Sequence, residues 1–505
     1  MKGLTYDAAL MTRRTHQLSK SRFTAGLQCH RQLWWRTHEP DAPELVPDAA
    51  TQVIFDTGTM VGEVARDHVP GGTLIDLPYD DFAGKLAATK AALASKTPAI
   101  YEASVSADGV FVAVDILQRD GDGWRVVEVK SSTNVKPQHV PDAAIQVHAL
   151  RAAGLEITGA EIMVLNSACR HPDLSNLFRR EDVSAEVEDS LPAVAAEVKA
   201  QLAVLAGPLP DAEIGAHCNA PYECPFKSRC WAELPEHHVS TLYYQSAVAQ
   251  KYLDQGWVTI FDLPDGSVKN VTADRQRRSV QAGRMLVEGD LAGALERFPA
   301  PLAYFDFETV MPAIPVWNGC GPYTQVPVQF SCHVEAADGT LTHHEWVPEG
   351  PGDPRAEIAA RVVEACRGAA CVVAYNASFE KRALEHLAEA VPFRAAELRD
   401  VIARIVDLLP VVRDHVYHPD FGGSFSIKSV LPALVPEFSY EGLDIAKGDD
   451  AANALAELLF GSDDLLPLER SAKREALLEY CKLDTLAMVR ILHRLRVLAA
   501  AGAGA

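Results

Sequence analysis

The chain reads as two α/β domains separated by a helical stretch, and three observations predict that architecture. Its 505 residues are 48% hydrophobic and 23% charged, with mean hydropathy near zero, which is enough to bury large cores and too long for one domain of ordinary size. Two β-branched runs at residues 110–117 and 124–129 flank Asp120-Gly121-Asp122-Gly123, a turn signal, and read as a hairpin. From Pro301 a second pattern begins, in which apolar runs at 303–307 and 370–375 alternate with helical segments.

The first domain is expected over residues 1–235, in the order helix, strands, helix. After the hairpin, the residues from Pro141 predict a helix ending at Gly154, 161–165 a strand, and 186–205 a helix interrupted near its start by Pro192. Residues 236–298 read as a helical linker with a basic stretch at Arg275, Arg277 and Arg278. The second domain, 299–497, places helices at 355–366, 378–389 and 472–499, and the Ala/Gly tail 498–505 is expected to be disordered. No internal repeat of solenoid type is present.

Composition narrows the function. A net charge of −21 argues against a protein that coats nucleic acid over its whole surface, but it is compatible with a nuclease, whose metal sites need carboxylates and whose phosphate track is a local basic strip. Ten cysteines are far below disulfide-scaffold density, and in a reducing compartment spaced cysteines point first to metal or cluster ligation. No stretch is long and apolar enough for a membrane helix, and residues 1–20 lack the apolar core of a secretory signal, so a cytoplasmic protein is expected.

Three constellations carry chemistry. On the second hairpin strand Glu128 and Lys130 share a face, and the partner strand can bring Asp115 beside them. Two such carboxylates can hold Mg²⁺ or Mn²⁺ over a scissile phosphate while the lysine orients water. Glu-x-Lys alone is also an ordinary cross-strand pair. Asp115, however, interrupts an apolar strand, a costly place for a lone acid, and the next helix supplies Gln146. Over roughly residues 18–235 the chain resembles the RecB-like branch of the PD-(D/E)XK nucleases, which place an Asp, a Glu-x-Lys and a helical Gln in this order. The family's upstream Gly-x-x-x-His is replaced here by Gly58-Thr59-Met60-Val61 leading to Gly62 and Glu63, so Glu63 stands as an extra candidate acid. Its Gln-x-x-x-Tyr ends here in Leu150.

Cys218, Cys224 and Cys230 are evenly spaced, and Cys29 stands alone far upstream. A set of four thiolates suits Zn²⁺ or an iron-sulfur cluster, and would staple the two ends of the first domain together. The iron-sulfur subgroup of RecB-like exonucleases is similar in having one cysteine before the nuclease core and three after it, and that resemblance implies a [4Fe-4S] cluster on these four residues. Lys20, Arg22, Arg31, Arg36, Lys227 and Arg229 surround them in sequence and read as a phosphate track or as a solvated basic face.

The third set begins with Asp306 and Glu308, two acids on one face of an otherwise apolar strand. Glu380 follows, and then Tyr480 and Asp484, one helical turn apart. Four carboxylates so placed can hold two Mg²⁺ or Mn²⁺ ions, with Tyr480 orienting the attacking water. Over about residues 300–495 this order resembles the ribonuclease H-like DEDD 3′-to-5′ exonucleases of the tyrosine subgroup. Glu380 occupies the place of an Asp in that family, and Asp407 matches an accessory acid and is a reserve ligand. The Gly-rich segment from His418 to Lys428 reads as a loop that can contact phosphate.

As a whole the chain is similar to a bacterial fusion family that joins a RecB-like iron-sulfur nuclease module to a DEDD-type exonuclease domain. The resemblance implies a metal-dependent nuclease of DNA repair or defence, acting on DNA in preference to RNA. The C-terminal domain is then a 3′-to-5′ exonuclease, and the N-terminal domain a single-strand DNA nuclease or grip. The alternative is a nucleic-acid-binding adaptor whose N-terminal site is inactive, since the histidine is absent and Leu150 replaces the tyrosine.

Overall fold

A computed structural model describes residues 18–231, 233–438, 445, 448–461 and 466–502. The reading of residues 1–17 and the last three residues of the tail lie outside the described residues. The chain forms two compact mixed α/β units, residues 1–233 with 313–323, and residues 234–312 with 324–505.

The first unit runs β1 Leu18–Ser19, α1 Lys20–Gln28, α2 His30–His38, α3 Ala49–Asp67, β2 Thr73–Leu74, α4 Phe82–Leu93, β3 Ala99–Ala107, β4 Val110–Asp120, β5 Gly123–Lys130, α5 His139–Ala152, β6 Ile157–Leu165, β7 Phe178–Asp182 and α6 Ser184–Ala206. Its strands form one seven-stranded sheet in the order β2-β3-β4-β5-β6-β7, with β1 paired to β4. The hairpin of β4 and β5 closes at Asp120 opposite Gly123, with Gly121 at φ 58° supplying the left-handed turn that an L side chain resists. Alternate valines of β4 and β5 (Val112, Val114, Val126) meet Ala143, Ala144, Val147 and Leu150 of α5 in one buried core, each large side chain contributing about 1.5–3 kcal/mol. Helix α6 is continuous through Pro192, contrary to the expected interruption. Proline removes one backbone donor, but Val187, Val194 and Val198 bury on both sides of it and hold the two halves on one core.

The second unit runs α7 Val271–Ala282, β8 Leu286–Val287, β9 Leu302–Val310, β10 Val326–Glu335, β11 Leu341–Trp346, α8 Arg355–Ala365, β12 Cys371–Ala374, α9 Ser378–Ala390, α10 Ala395–Ala403, β13 Ile405–Asp407, β14 Val416–Tyr417, α11 Ile427–Leu434, α12 Gly448–Phe460 and α13 Pro467–Gly502. Five strands form a sheet in the order β11-β10-β9-β12-β13, with β8 and β14 a separate pair. Central strand β9 is antiparallel to β10 and parallel to β12.

The two faces of β9 have different covers. Ala303, Phe305 and Phe307 pack with residues of α8, α9 and α10, such as Ile358, Leu384 and Leu398. Leu302 and Tyr304 face a second core that contains Val239, Ile260, Leu291 and Phe298 together with Ile491 and Leu495 of α13. The stretch 236–298 is therefore not a linker: its short helices are amphipathic covers for this sheet face. The tail also departs from expectation, since α13 continues to Gly502; a run of alanines is the best sequence for prolonging a helix.

Candidate active sites and the cysteine cavity

On β9 the face that carries Leu302 and Tyr304 turns acidic at its far end. Asp306, Glu308 and Asp484 of α13 bring one carboxylate oxygen each to within 4.8 Å of one another, the only such group of acids, thiols or imidazoles among the described residues. Helix α13 is fixed against the sheet by polar pins: Thr485 Oγ1 lies 2.7 Å from Ser331 Oγ and 2.8 Å from His333 Nδ1, and Ser331 stands opposite Asp306 in the strand register. Gln329 Nε2 donates to Leu477 O at 2.6 Å. Burial and the charges of Asp484, Glu380 and Glu308 together push the Asp306 carboxyl well above the usual range. Glu380, in the first turn of α9, is only 3% exposed, and its Oε2 has no hydrogen-bond partner. Burial, with a contribution from Asp407, raises its pKa to about 7. Crowded acids and an orphaned carboxylate oxygen form a hard-oxygen donor set, which fits a divalent cation.

Asp407 is differently employed. Its carboxylate accepts from the backbone N–H groups of Asn376, Ala377 and Leu409 at 2.9, 3.1 and 3.0 Å, holding Asn376 at φ 68° just before α9 begins. It positions the segment that delivers Glu380, and it is not in the three-acid group. Tyr480 is buried, and Lys428 Nζ donates to its hydroxyl at 3.0 Å. Lys428 reaches it from the start of α11, whose approach turns at Gly422 and Gly423; a Cβ on Gly423 would lie 1.8 Å from Thr241 O. The expected phosphate-contacting loop thus delivers its lysine to the tyrosine. Cys481 adds a thiol 4.0 Å from Asp306 Oδ2, pushed well above its ordinary pKa by burial and the surrounding acids.

The first unit joins Asp115, Glu128, Lys130 and Gln146 in one place. Both oxygens of Glu128, which is 1% exposed, are engaged. Oε2 accepts from Gln146 Nε2 at 2.6 Å, and Oε1 accepts from Lys130 Nζ at 2.9 Å and from Lys20 Nζ at 2.8 Å. Asp115 accepts from Val129 N at 2.7 Å and lies 4.0 Å from the Lys20 ammonium. Burial would raise the Glu128 carboxyl, but Lys20 and Lys130 overcome it and hold it well below the usual range. Asp115 is pushed up to about 7 by burial and by Glu128. Lys130 also pairs with Asp142, one turn ahead of Gln146 on α5. Asp115 and Glu128 are hard oxygen donors of the kind a divalent cation takes, and Gln146 keeps a buried Oε1 that meets no donor.

Glu63 is a correction: exposed on α3, its carboxylate pairs with Arg66 one turn on, and it does not join Asp115 and Glu128. Leu150 is fully buried in the core of α5, so the position carries no polar group toward the acids.

The four cysteines line one cavity. Cys29 is the residue between α1 and α2, Cys218 ends a short turn, and Cys230 ends the four-residue helix Lys227–Cys230. Gln28 Nε2 donates to His217 O and Tyr222 O, both at 2.7 Å, tying the distant segments together. All four thiols are unpaired by disulfides. Burial raises the Cys224 thiol, and Cys29 and Cys218 push it further. Gln32 lines the same cavity, and its side chain acts on the Cys224 thiol in the opposite sense to burial. Four soft donors lining one cavity fit a thiolate-bound metal ion or cluster. The basic strip is largely committed elsewhere. Arg229 pairs with Glu39 and Glu44 at 2.6 Å each, Lys227 with Glu223 at 3.0 Å, and Arg31 with Asp211 at 3.4 Å. Lys20 leaves the strip altogether, since α1 places it at the acids and Cys29 at its other end.

Residues 303–426 match the family model described as "Domain of unknown function (DUF2779)". The match includes Asp306, Glu308, Glu380, Asp407 and the Gly-rich turn, and it ends before Lys428, Tyr480 and Asp484. The chain is also 29% identical over 209 residues to a Mycoplasma pneumoniae protein with the printed name "Uncharacterized protein MG366 homolog", an alignment covering 37% of this chain and 31% of that one. The chain thus spans less than a third of that relative's length. Among the described residues no helix is long and apolar enough to cross a membrane.

Two site residues, Asp142 and Glu102 on β3, escaped the sequence reading, and a third, Lys20, was read as part of the basic strip around the cysteines although it meets Glu128. Asp142 had a signal, four residues before Gln146 on one helical face. Glu102 had one in strand register, since Tyr101↔Ile116 and Ala103↔Val114 set it opposite Asp115.

Proposed function

We propose that the protein is a metal-dependent nuclease, hydrolysing phosphodiester bonds of nucleic acid, DNA in preference to RNA. The observation that carries the proposal is the convergence of Asp306, Glu308 and Asp484 on one point of the second unit, with Glu380 beside them. A mixed sheet with acids on its central strand supports the ribonuclease H-like reading, and a sheet followed by a glutamine-bearing helix supports the PD-(D/E)XK reading of the first unit. Mg²⁺ or Mn²⁺ bound by such acids polarises a phosphoryl oxygen and lowers the pKa of water. The chain's own part is positional: the polar pins on α13 set Asp484 and Tyr480 over β9, Lys428 fixes the phenol, and Asp407 aims Glu380. In this reading the second unit is a 3′-to-5′ exonuclease. The first cuts or grips a single strand, and its four cysteines hold a [4Fe-4S] cluster that ties Cys29 to the far end of the unit.

The engaged oxygens of Glu128 favour the second reading for the first unit alone, a grip without cutting. One assay tests both: digestion of end-labelled single- and double-stranded DNA and RNA in Mg²⁺ and Mn²⁺, by wild type, Asp306→Asn and Lys130→Ala. Shortening from 3′ ends that Asp306→Asn abolishes and Lys130→Ala spares is expected. Wild-type protein that binds all four substrates and shortens none would refute the nuclease assignment.

A further inference from the structure

The acids of the first unit form a row that the sheet itself does not tolerate. Flanking pairs set Glu102 opposite Asp115, and the ladder that ends at Ile116↔Val127 sets Asp115 opposite Glu128. Three carboxylates therefore stand side by side across β3, β4 and β5, where like charges directly opposite one another destabilise pairing. The backbone registers the stress. Neither ladder pairs Asp115, and Glu102 adopts φ 59°, left-handed for a residue with a Cβ in the middle of a strand. Into this row α1 delivers one ammonium, 2.8 Å from Glu128 and 4.0 Å from Asp115. Lys20 is partly exposed, its side chain 28% accessible, so it can leave without unpacking the core. Glu102 feels its charge too, alongside Arg66 and Lys85 at the rim.

Lys20 and Gln146 take opposite oxygens of Glu128, the ammonium at Oε1 and the amide Nε2 at Oε2, and Gln146 keeps a buried Oε1 that meets no donor. Asp115 and Glu128 are thus hard oxygen donors already partly used by an ammonium. We propose that Lys20 is a tethered competitor cation, holding the place between Asp115 and Glu128 that a divalent ion takes, so that metal entry requires Lys20 to move out toward Glu102. The proposal rests on the reading of these acids as a cation site and assigns to that site a built-in restraint on metal occupancy. Since Lys20 opens α1 and Cys29 closes it, the restraint is anchored to the cysteine cavity by a single nine-residue helix.

The test uses full-length protein carrying Asp306→Asn and Asp484→Asn, so that Mn²⁺ bound outside the first unit does not obscure the reading. Mn²⁺ affinity is measured by loss of the free-ion electron paramagnetic resonance signal. Lys20→Met should bind Mn²⁺ at least tenfold more tightly than its parent, because one positive charge has left the cage, and Lys20→Arg should not. Equal or weaker binding by a folded Lys20→Met overturns the proposal and leaves the cation site standing. No binding by parent or variant at millimolar Mn²⁺ overturns both. Should Lys20→Met fail to fold, amine acylation of wild-type protein followed by mass spectrometry gives the second reading: Lys20 should become more reactive on adding Mn²⁺, and unchanged reactivity would refute its displacement.

Discussion

The two acid sites solve the same problem in opposite ways. In the first unit, Glu128 is buried against two ammoniums and an amide, and its carboxyl is held below the usual range. In the second, the charges that act most on Asp306 are other carboxylates, and its carboxyl is held well above. The first site is folded around its charge balance. The second crowds like charges around Asp306. The difference teaches that a similar set of residue types can be a charge-balanced network in one place and a crowd of like charges in another, depending on which groups surround the central carboxylate.

The largest effect that would sharpen this contrast is on catalysis. Replacing Asp306 or Asp484 by Asn removes a charged ligand with little change of volume, so folding should survive while 3′-end hydrolysis falls on the order of a thousandfold, about 4 kcal/mol of transition-state stabilisation. An unchanged kcat in either variant would remove the acid group from the reaction.

Stability should then separate the sites by sign. Glu128→Gln strips the counter-charge from two ammoniums in a buried network and should cost the first unit about 3 kcal/mol, read as a lower unfolding midpoint in denaturant. Asp306→Asn relieves repulsion and should leave metal-free protein as stable as wild type or more so. If both variants lose stability equally, the contrast fails.

The pH dependence of stability provides a third comparison. Glu380 holds its proton to about pH 7 in the folded state and loses it near pH 4 when unfolded, so its contribution favours folding at low pH and is lost as pH rises between those values. From pH 5 to pH 8 the loss is on the order of 2–3 kcal/mol. Glu128 runs the other way: its carboxyl is lowered on folding, so its contribution is present above pH 4 and lost as pH falls through the folded value. Thermal melts in chelator should show the second unit weakening toward pH 8 and Mg²⁺ restoring it. A chelator-insensitive profile would contradict the cation-site reading.

How much of this was legible in sequence follows from how local each signal is. The two-residue period placed Asp306 and Glu308 on one face of β9, and the helical turn placed Tyr480 with Asp484; both relations survive folding because they are set by backbone geometry alone. Lys20 was illegible because it meets Glu128 across 108 positions of chain, and nothing in either segment encodes that approach. Glu63 failed for the converse reason: a helix face can be read from sequence, but not which neighbour the face meets. Residues 236–298 looked like a linker because their elements are short, and only the uncovered face of β9 explains their apolar side chains.

The smallest expected effect concerns the phenol. Tyr480→Phe leaves every carboxylate in place and removes one hydroxyl, so kcat should fall tenfold to a hundredfold, about 1.4–2.7 kcal/mol, with KM little changed. Lys428 donates to that hydroxyl at 3.0 Å and its ammonium lies 4.8 Å from the ring centre, so it can act by holding the phenol in register. If that is its role, Lys428→Met should lower kcat by less than Tyr480→Phe, and the double variant should be no slower than Tyr480→Phe alone, because the lysine would have nothing left to orient. Additive losses would mean that the lysine meets substrate phosphate on its own account, and a raised KM in Lys428→Met alone would place that contact in substrate binding.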